Sequence, residues 1–209
     1  MKVLGMVLSV LLLFFQCSHA AITMYTDRNA WRSAAGGSQV FFVDFNTYTT
    51  DVAATAPVDV GPFTLTPQGS WYAPLIDKSP FYASGSVDNT TAVTMQALSG
   101  VSLLVNFDNA VGSFGFDIGT LFSDNRPGRI TTSAGDFYDF VAHASGVRFI
   151  GLVSTVPITS VTFSSTSNVR PLIDNFEANS ASAVPEPSAA SLLVLGAGVL
   201  AVIRRRKKD

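Results

Sequence analysis

Cysteine and histidine are nearly absent from this chain. Its 209 residues include one cysteine, Cys17, and two histidines. Cys17 lies within the first twenty residues, so the rest of the chain has neither a disulfide nor a cysteine nucleophile. His143 is the one histidine beyond that segment, which leaves too few soft ligands for an ordinary zinc site. A Ser-His-Asp triad would need His143, yet no nucleophile-elbow sequence is present. We interpret His143 as a surface strand or loop residue.

Basic residues are scarce between the two ends. Of 13 Lys and Arg residues, five lie in the last six positions and one is Lys2, which leaves seven between residues 21 and 183. Against them stand 13 of the 15 acidic residues, so this region has a net charge of −6. We therefore exclude nucleic acid as a partner, because a phosphate backbone needs a basic surface. Twelve of these acids are Asp and one is Glu177, a bias that favours turns over helix.

The N-terminus has the three parts of a secretory signal peptide. Lys2 supplies the positive start, residues 3–15 are almost wholly apolar, and Ser18 and Ala20 place small residues at −3 and −1 of a cleavage site before Ala21. The alternative is a lipoprotein signal that uses Cys17. The residues before Cys17 are bulky, unlike the small residues that a lipoprotein signal requires.

The C-terminus also has three consecutive parts. Residues 184–187 read Val-Pro-Glu-Pro, residues 188–203 form an apolar run of 16 residues, and residues 204–208 are basic. As a helix the run spans about 24 Å, against about 30 Å for a bilayer core. Snorkelling of the arginines lengthens its reach. The positive-inside rule keeps the basic end in the cytoplasm and leaves the domain outside. An ordinary membrane anchor is the alternative interpretation.

This C-terminus resembles the PEP-CTERM sorting signal. The residues that carry the resemblance are Val184, Pro185, Glu186, Pro187, Arg204, Arg205 and Arg206. The resemblance implies recognition by an exosortase, a membrane cysteine protease, with cleavage near the Pro-Glu-Pro sequence. It also implies a Gram-negative bacterium that makes extracellular polysaccharide. The expected partners are signal peptidase, an exosortase-like protease, the membrane and extracellular polysaccharide. The domain would be transiently anchored outside the cytoplasm, then released to the cell surface or extracellular matrix.

The region between the ends is predicted to be all-β, an antiparallel sandwich or jelly roll with one short N-terminal helix. Thr26 and Asp27 can cap a helix through Trp31, which ends at Gly36-Gly37. About ten short strands separated by turn residues favour the sandwich. The predicted strands are residues 22–25, 40–45, 63–66, 102–107, 114–118, 137–142, 147–153, 160–163 and 172–176; the predicted turns are 108–109, 123–128, 133–135 and 164–168.

We divide the chain into five segments. They are a signal peptide (1–20), a secreted β-sandwich domain (21–179), a linker with the Pro-Glu-Pro motif (180–187), a transmembrane sorting helix (188–203) and a basic cytoplasmic tail (204–209). The domain also resembles β-sandwich domains found in front of this sorting tail, through residues 25–31, 42–45 and 172–177.

Two kinds of binding site are predicted in the domain. Structural calcium is a hypothesis, because the chain is rich in Asp and Asn oxygens that suit a hard cation. Asp44, Asp174 and Asn175 are the first candidates, since they flank strands near the two ends of the domain, and Asp136 with Asp139 or Asp124 with Asn125 are further pairs. The alternative is that these residues form turns and caps. No other cofactor is expected.

The second hypothesis is carbohydrate binding. The aromatic residues Trp71, Tyr72, Phe81 and Tyr82 flank a loop, where their rings would stack on sugar rings. The alternative is that they close the edge of the sandwich. Two function classes follow: a non-catalytic surface or matrix protein that binds carbohydrate, or a secreted hydrolase acting on polysaccharide. The hydrolase would need two carboxylates that flank a bond, and sequence spacing selects no pair, so we favour the non-catalytic class.

Overall fold

The computed structural model describes residues 22–71, 73–78, 90–94, 101–120, 126–142, 147–164 and 171–180. The signal peptide, the Pro-Glu-Pro motif, the apolar run and the basic tail of the prediction lie outside the described residues. No helix in these ranges is both long enough and apolar enough to span a membrane.

Twelve strands and one helix make up the described chain. They are β1 (Ile22–Tyr25), α1 (Arg28–Ala35), β2 (Gln39–Val43), β3 (Val52–Ala53), β4 (Val58–Asp59), β5 (Phe63–Gln68), β6 (Pro74–Asp77), β7 (Ala92–Thr94), β8 (Ser102–Thr120), β9 (Arg126–Thr132), β10 (Phe137–Ala142), β11 (Arg148–Ser164) and β12 (Pro171–Ser180). All their pairings are antiparallel, and they join one open sheet. The prediction of a mostly β, antiparallel fold with one short helix is confirmed.

The helix α1 is bounded by the residues that the sequence indicated. The Asp27 side chain accepts a hydrogen bond from the Ala30 backbone N–H at 2.7 Å, which satisfies one of the free donors of the first turn. Gly36 follows the last turn in the left-handed conformation, with φ of 63°, where glycine carries no Cβ penalty. Local sequence signals therefore decide both ends of α1.

Several predicted strand boundaries are wrong. Residues 102–107 and 114–118 belong to one strand, β8, and residues 108–109 continue it rather than turn. Residues 147–153 and 160–163 likewise belong to β11. β9 begins at Arg126, inside the predicted turn 123–128. In β9, pairing with β10 continues through Pro127 and Gly128 despite their local preference for turns. Ser180, assigned above to the linker, is the last residue of β12.

The two long strands bend, so the sheet folds over on itself. Phe163 of β11 pairs with Leu103 of β8, and Phe116 lies thirteen residues further along β8. In a straight strand that separation would be about 43 Å, yet the Phe116 and Phe163 ring centroids are 5.1 Å apart. The register shifts in both strands at the bend: residues 153–158 of β11 lie opposite residues 111–113 of β8, and residues 106–111 of β8 lie opposite residues 158–160 of β11. Irregularities of this kind bend the strands and sharpen the local twist.

Two layers result from this bend. The hairpin layer contains β4, β5, β9 and β10 with residues 102–111 of β8 and 158–164 of β11. The helix layer contains β1, β2, β12 and β7 with residues 113–120 of β8 and 148–153 of β11, and β6 and β3 extend it. The jelly-roll connectivity stays a prediction.

Phenylalanine rings fill the space between the layers. Phe63 of the hairpin layer contacts Phe176 of the helix layer, with ring centroids 5.2 Å apart. Phe114, Phe116 and Phe176 stack at interplanar angles below 20°. These rings are at most 1% exposed. Offset and edge-on ring contacts of this kind add to the stabilisation from apolar burial.

The outer face of the helix layer carries α1. Trp31 is fully buried, and its Nε1–H donates to the Leu152 carbonyl oxygen at 3.2 Å. Two glycines face each other across β8 and β11 beneath the ring, Gly115 and Gly151. A Cβ at Gly151 would overlap the Trp31 ring, and one at Gly115 would lie 2.6 Å from Phe149 Cζ. The glycines therefore let the tryptophan reach the sheet.

We predict that Gly151→Ala destabilises the domain by about 1–3 kcal/mol, because overpacking forces Trp31 away from the sheet. Denaturant unfolding measures the loss, and Trp31 fluorescence should shift to longer wavelength as the ring becomes wetter. Thr159→Ala, at an exposed position of the same strand, is the control and should change stability little. Equal effects of the two variants would contradict this role for Gly151.

Candidate functional site

A buried carboxylate clamped by two arginines is the main charged cluster that the structure shows. Glu177 of β12 is 1% exposed. Its Oε1 accepts from Arg28 Nη1, and its Oε2 accepts from Arg32 Nη2 at 2.8 Å and Arg32 Nε at 3.2 Å. Arg28 and Arg32 are one turn apart on α1, so both reach the same side of the helix. The cluster thus ties α1 to the centre of the helix layer.

The cluster extends along β8 and β12. Arg28 Nη2 also pairs with Asp117 Oδ1 at 2.8 Å, and Asp117 Oδ2 accepts from Asn175 Nδ2 at 3.0 Å. Asn175 lies at a bulge of β12 in the left-handed region, with φ of 50°, a conformation that asparagine tolerates. Fully buried Asp174 accepts from the Asn175 N–H at 2.7 Å and from Thr90 Oγ1 at 3.2 Å.

This cluster has the properties of a structural anchor. Arg28 lies over the Phe149 ring, 4.4 Å from its centroid, which favours a guanidinium at a partly dehydrated place. Each carboxylate already accepts hydrogen bonds from groups of the chain. Burying a charge is tolerated when it is paired and hydrogen-bonded in this way. The carboxylates are therefore occupied in holding α1 and the β12 bulge.

We predict that Glu177→Gln destabilises the domain by about 3 kcal/mol, since it leaves two arginines around a neutral group. Half-exposed Arg32 recovers water, which keeps the loss near the low end of the usual range. Denaturant unfolding gives the value. The matched control is Asp139→Asn, which breaks an exposed carboxylate–arginine pair and should cost much less. A loss no larger than the control's would show that Glu177 is not an anchor.

The predicted calcium residues lie near one another in the sheet but already have partners. β2 pairs with β12, and Val43 is opposite Phe176, so Asp44 and Asn175 are the next residues beyond this pair. Asp44 Oδ1 accepts from the Asn46 N–H at 3.1 Å, which is an Asx turn, and Asp174 is bonded as described above. Within the described ranges, no three His, Cys, Asp or Glu side chains form a group suited to a metal ion. Structural calcium stays a prediction.

Of the four predicted sugar-binding aromatics, only Trp71 is described. It is half-buried against the main core, and its Nε1–H donates to the Gln68 carbonyl oxygen at 3.1 Å. Tyr72, Phe81 and Tyr82 lie outside the described residues, as do His143, Asp124 and Asn125. A sugar site on this loop stays a prediction.

A different surface, which was not predicted from the sequence, lies on the outer face of the β9–β10 hairpin. Phe137 is 61% exposed and Val141 is 43% exposed. Asp139 lies between them and pairs across the strands with Arg129. The alternation of Phe137, Asp139 and Val141 puts them on one face and is visible in the sequence. Arg129 joins them through the strand register alone. We call Arg129, Phe137, Asp139 and Val141 the hairpin strip.

The Arg129 side chain is held in place by two members of the hairpin strip, Asp139 and Phe137. Arg129 Nε and Nη2 donate to the two oxygens of Asp139 at 2.6 and 2.9 Å, the bidentate geometry that makes such pairs specific. The Arg129 guanidinium also lies 4.1 Å from the Phe137 ring centroid. The hydrogen bonds from Arg129 lower the pKa of Asp139 below its ordinary value, because they favour the charged carboxylate.

We predict that Arg129→Gln raises the pKa of Asp139 towards its ordinary value. A carboxylate whose pKa is lowered by folding contributes stability above its unfolded-state pKa, and this contribution is lost as the pH falls through the folded-state pKa. NMR titration of the Asp139 carboxyl carbon in both proteins measures the shift. Asp59, which Arg129 does not contact, is the internal control. An unchanged Asp139 midpoint would contradict the pairing.

A shallow groove lies where β2 approaches the β4–β5 and β8 segments. It has a volume of about 340 Å³ and is lined by Val40, Phe41, Gly61, Pro62, Asp108 and Asn109. The side chains of Val40, which lines the groove, and of Phe42, which is next to Phe41 in β2, are nearly half exposed. Asp108 is the one charged residue among those that line the groove. The lining therefore supplies no second charged group for acid–base chemistry with this carboxylate.

A profile of the PEP-CTERM protein-sorting motif matches residues 183–207. This match confirms the resemblance drawn from Val184, Pro185, Glu186, Pro187 and the arginines. The matched residues are a small part of the chain, and they lie outside the described residues. No curated protein sequence matches the chain.

Distant similarity to several solved structures is also present. The family 11 carbohydrate-binding module of Clostridium thermocellum, in complex with a β-1,3-1,4-mixed-linked tetrasaccharide, gives a TM-score of 0.36 at 12% identity over 60% of this chain and 95% of that chain. The CBM22-1 xylan-binding domain of Paenibacillus barcinonensis Xyn10C gives 0.35 at 12% identity over 71% and 97%. An exo-β-1,3-galactanase of Phanerochaete chrysosporium gives 0.37 at 16% identity over 57% and 30%. At these TM-scores we infer neither fold nor ligand from them.

Proposed function

We propose that this chain is an exported protein whose β domain is delivered to the cell surface or extracellular matrix by its C-terminal sorting motif and acts there by binding carbohydrate, without catalysis. The observation that carries the proposal is the sorting-motif match at residues 183–207. A signal peptide at residues 1–20 and a short apolar run before the terminal arginines fit the same route. The motif implies processing by an exosortase-like protease.

The partners of the carboxylates around Glu177 favour a structural role for them over a catalytic one. A glycosidase needs one carboxylic acid that gives up a proton and one carboxylate that attacks or activates water. Glu177 and Asp117 are instead paired with arginines, and Asp174 is fully buried. These three carboxylates lie on the adjacent strands β8 and β12, and the arginines of α1 pair with two of them. Their bonds support a structural role and leave no open pair for a sugar bond.

The domain's charge also favours a neutral polymer. Residues 21–183 carry a net charge of −6, which repels phosphate-rich and carboxylate-rich polymers. Neutral polysaccharide meets no such repulsion, and its hydroxyl groups suit a surface rich in Asp, Asn, Ser and Thr. We therefore infer carbohydrate as the class of ligand.

We predict that replacing Pro185, Glu186 and Pro187 together by alanine blocks sorting. In an exosortase-containing host, the parent chain should lose its C-terminus and leave the membrane fraction. The variant should stay full-length and membrane-bound, because the protease no longer recognises it. Intact mass and cell fractionation measure both effects, and Ser182→Ala nearby is the matched control. The proposal fails if the variant is sorted like the parent, or if the parent never leaves the cytoplasm.

A further inference from the structure

The hairpin strip combines two surfaces that a sugar ring requires. A pyranose ring presents C–H groups on its faces and hydroxyl groups around its rim. Phe137 and Val141 offer exposed apolar surface two positions either side of Asp139, about 6–7 Å from it along the strand. The Arg129–Asp139 pair lies between them and is likewise exposed. Apolar and polar contacts are therefore available within the reach of a single ring.

We propose that the hairpin strip is a stacking site for neutral polysaccharide. This inference rests on the proposed carbohydrate-binding function and names the residues that perform it. A sugar unit stacks its C–H face on Phe137, with Val141 supporting the next part of the polymer, and its hydroxyl groups bond to Arg129 and Asp139. The site is separate from the loop of Trp71, which belongs to another strand connection.

The ion pair keeps unused hydrogen-bonding capacity. Arg129 has five N–H donors and gives two of them to Asp139. The Asp139 carboxylate has about four acceptor sites, of which Arg129 takes two. Hydroxyl groups both donate and accept, so they can use what remains on either partner. A bidentate pair is thus a ready contact for neighbouring hydroxyl groups of one sugar.

The charge of the hairpin strip selects neutral over anionic polymers. An unpaired arginine beside an aromatic ring would attract carboxylate or phosphate. Here Asp139 neutralises Arg129 at contact distance, and the rest of the domain is acidic. An anionic polymer would have to displace Asp139 and then leave it unpaired. A neutral polysaccharide leaves the pair intact.

The size of the hairpin strip favours a sugar over a protein partner. From Phe137 to Val141 it is about 13 Å long, and two strands make it about 10 Å wide. Stable protein interfaces bury about 800 Å² on each partner, several times this area. One or two sugar units match it.

The strip is also organised before binding. Arg129 is held by two hydrogen bonds to Asp139 and by contact with the Phe137 ring. Side chains that are already fixed lose little rotamer freedom when a ligand arrives. A small contact area therefore retains more of its interaction free energy as affinity.

Affinity electrophoresis of the full chain in a sugar-free, non-ionic detergent tests the proposal. The probes are two neutral polymers, xylan and a β-glucan, with alginate as an anionic polymer. We expect at least one neutral polymer to retard the parent chain and alginate to leave its mobility unchanged. Phe137→Ala should weaken the retardation about tenfold, because it removes both the stacking ring and the support for Arg129.

Phe42→Ala is the matched control, since Phe42 is also an exposed phenylalanine on a strand but belongs to the helix layer. It should bind within about twofold of the parent. Phe137→Leu keeps apolar bulk without the ring and should also lose binding, and melting temperatures confirm that each variant is folded. Parent-like binding by both Phe137 variants would overturn the site while leaving the proposed function standing.

Failure of the parent to bind any neutral polymer would overturn the site and the carbohydrate function together. If alginate alone retards the parent chain, the proposed preference for neutral polymers is wrong. Sedimentation of the parent and of Phe137→Ala gives the remaining outcome. A dimer that dissociates on this substitution would mean that β10 pairs with a second copy, and it would overturn the sugar site.

Discussion

The architecture depends on two strands that are too long to stay within one layer. β8 and β11 run through both layers and stay paired with each other on both sides of the bend. Because the phenylalanine rings of the two layers meet inside the fold, each layer buries its apolar face only when the other is present. The domain lacks cysteine, so this shared burial and the contacts of α1 take the place of cross-links. The bend therefore decides which faces are inside and which remain outside.

The outer face of the helix layer beneath α1 and the outer face of the β9–β10 hairpin differ in their exposure to solvent. On the helix layer, paired glycines admit Trp31, and the arginines of α1 neutralise Glu177, so α1 covers this part of the face and the Glu177 carboxylate is buried. On the hairpin layer, the side chains of β10 alternate between core and solvent, and Phe137 remains exposed. A covered face serves the stability of the domain. An exposed ring beside an ordered ion pair is the kind of surface that serves recognition.

Local signals in the sequence were enough for α1, because Asp27 and Gly36 act within one turn of the helix. They were misleading in β8, where Asp108, Asn109 and Gly112 have turn preferences. The strand continues through them because the segments on either side are paired with β5 and β11, and that pairing depends on residues far away in the chain. The same limit applies to the sites. Asp139 is visible as part of an alternating strand, whereas its partner Arg129 and the arginines of Glu177 are fixed by register and by helix docking.

The two arginine–carboxylate sites share one chemistry and differ in their access to water. Glu177 is almost fully buried, so dissolved ions screen its pairs weakly, and its hold on α1 persists across changes in ionic strength. Arg129 and Asp139 are exposed, so salt weakens their attraction and water competes for the same donors and acceptors. A domain displayed outside the cell, as proposed above, meets changing ionic conditions. The buried Glu177 cluster is the site that those conditions affect least. The exposed hairpin strip, the candidate recognition surface, is accessible to hydroxyl groups of a ligand.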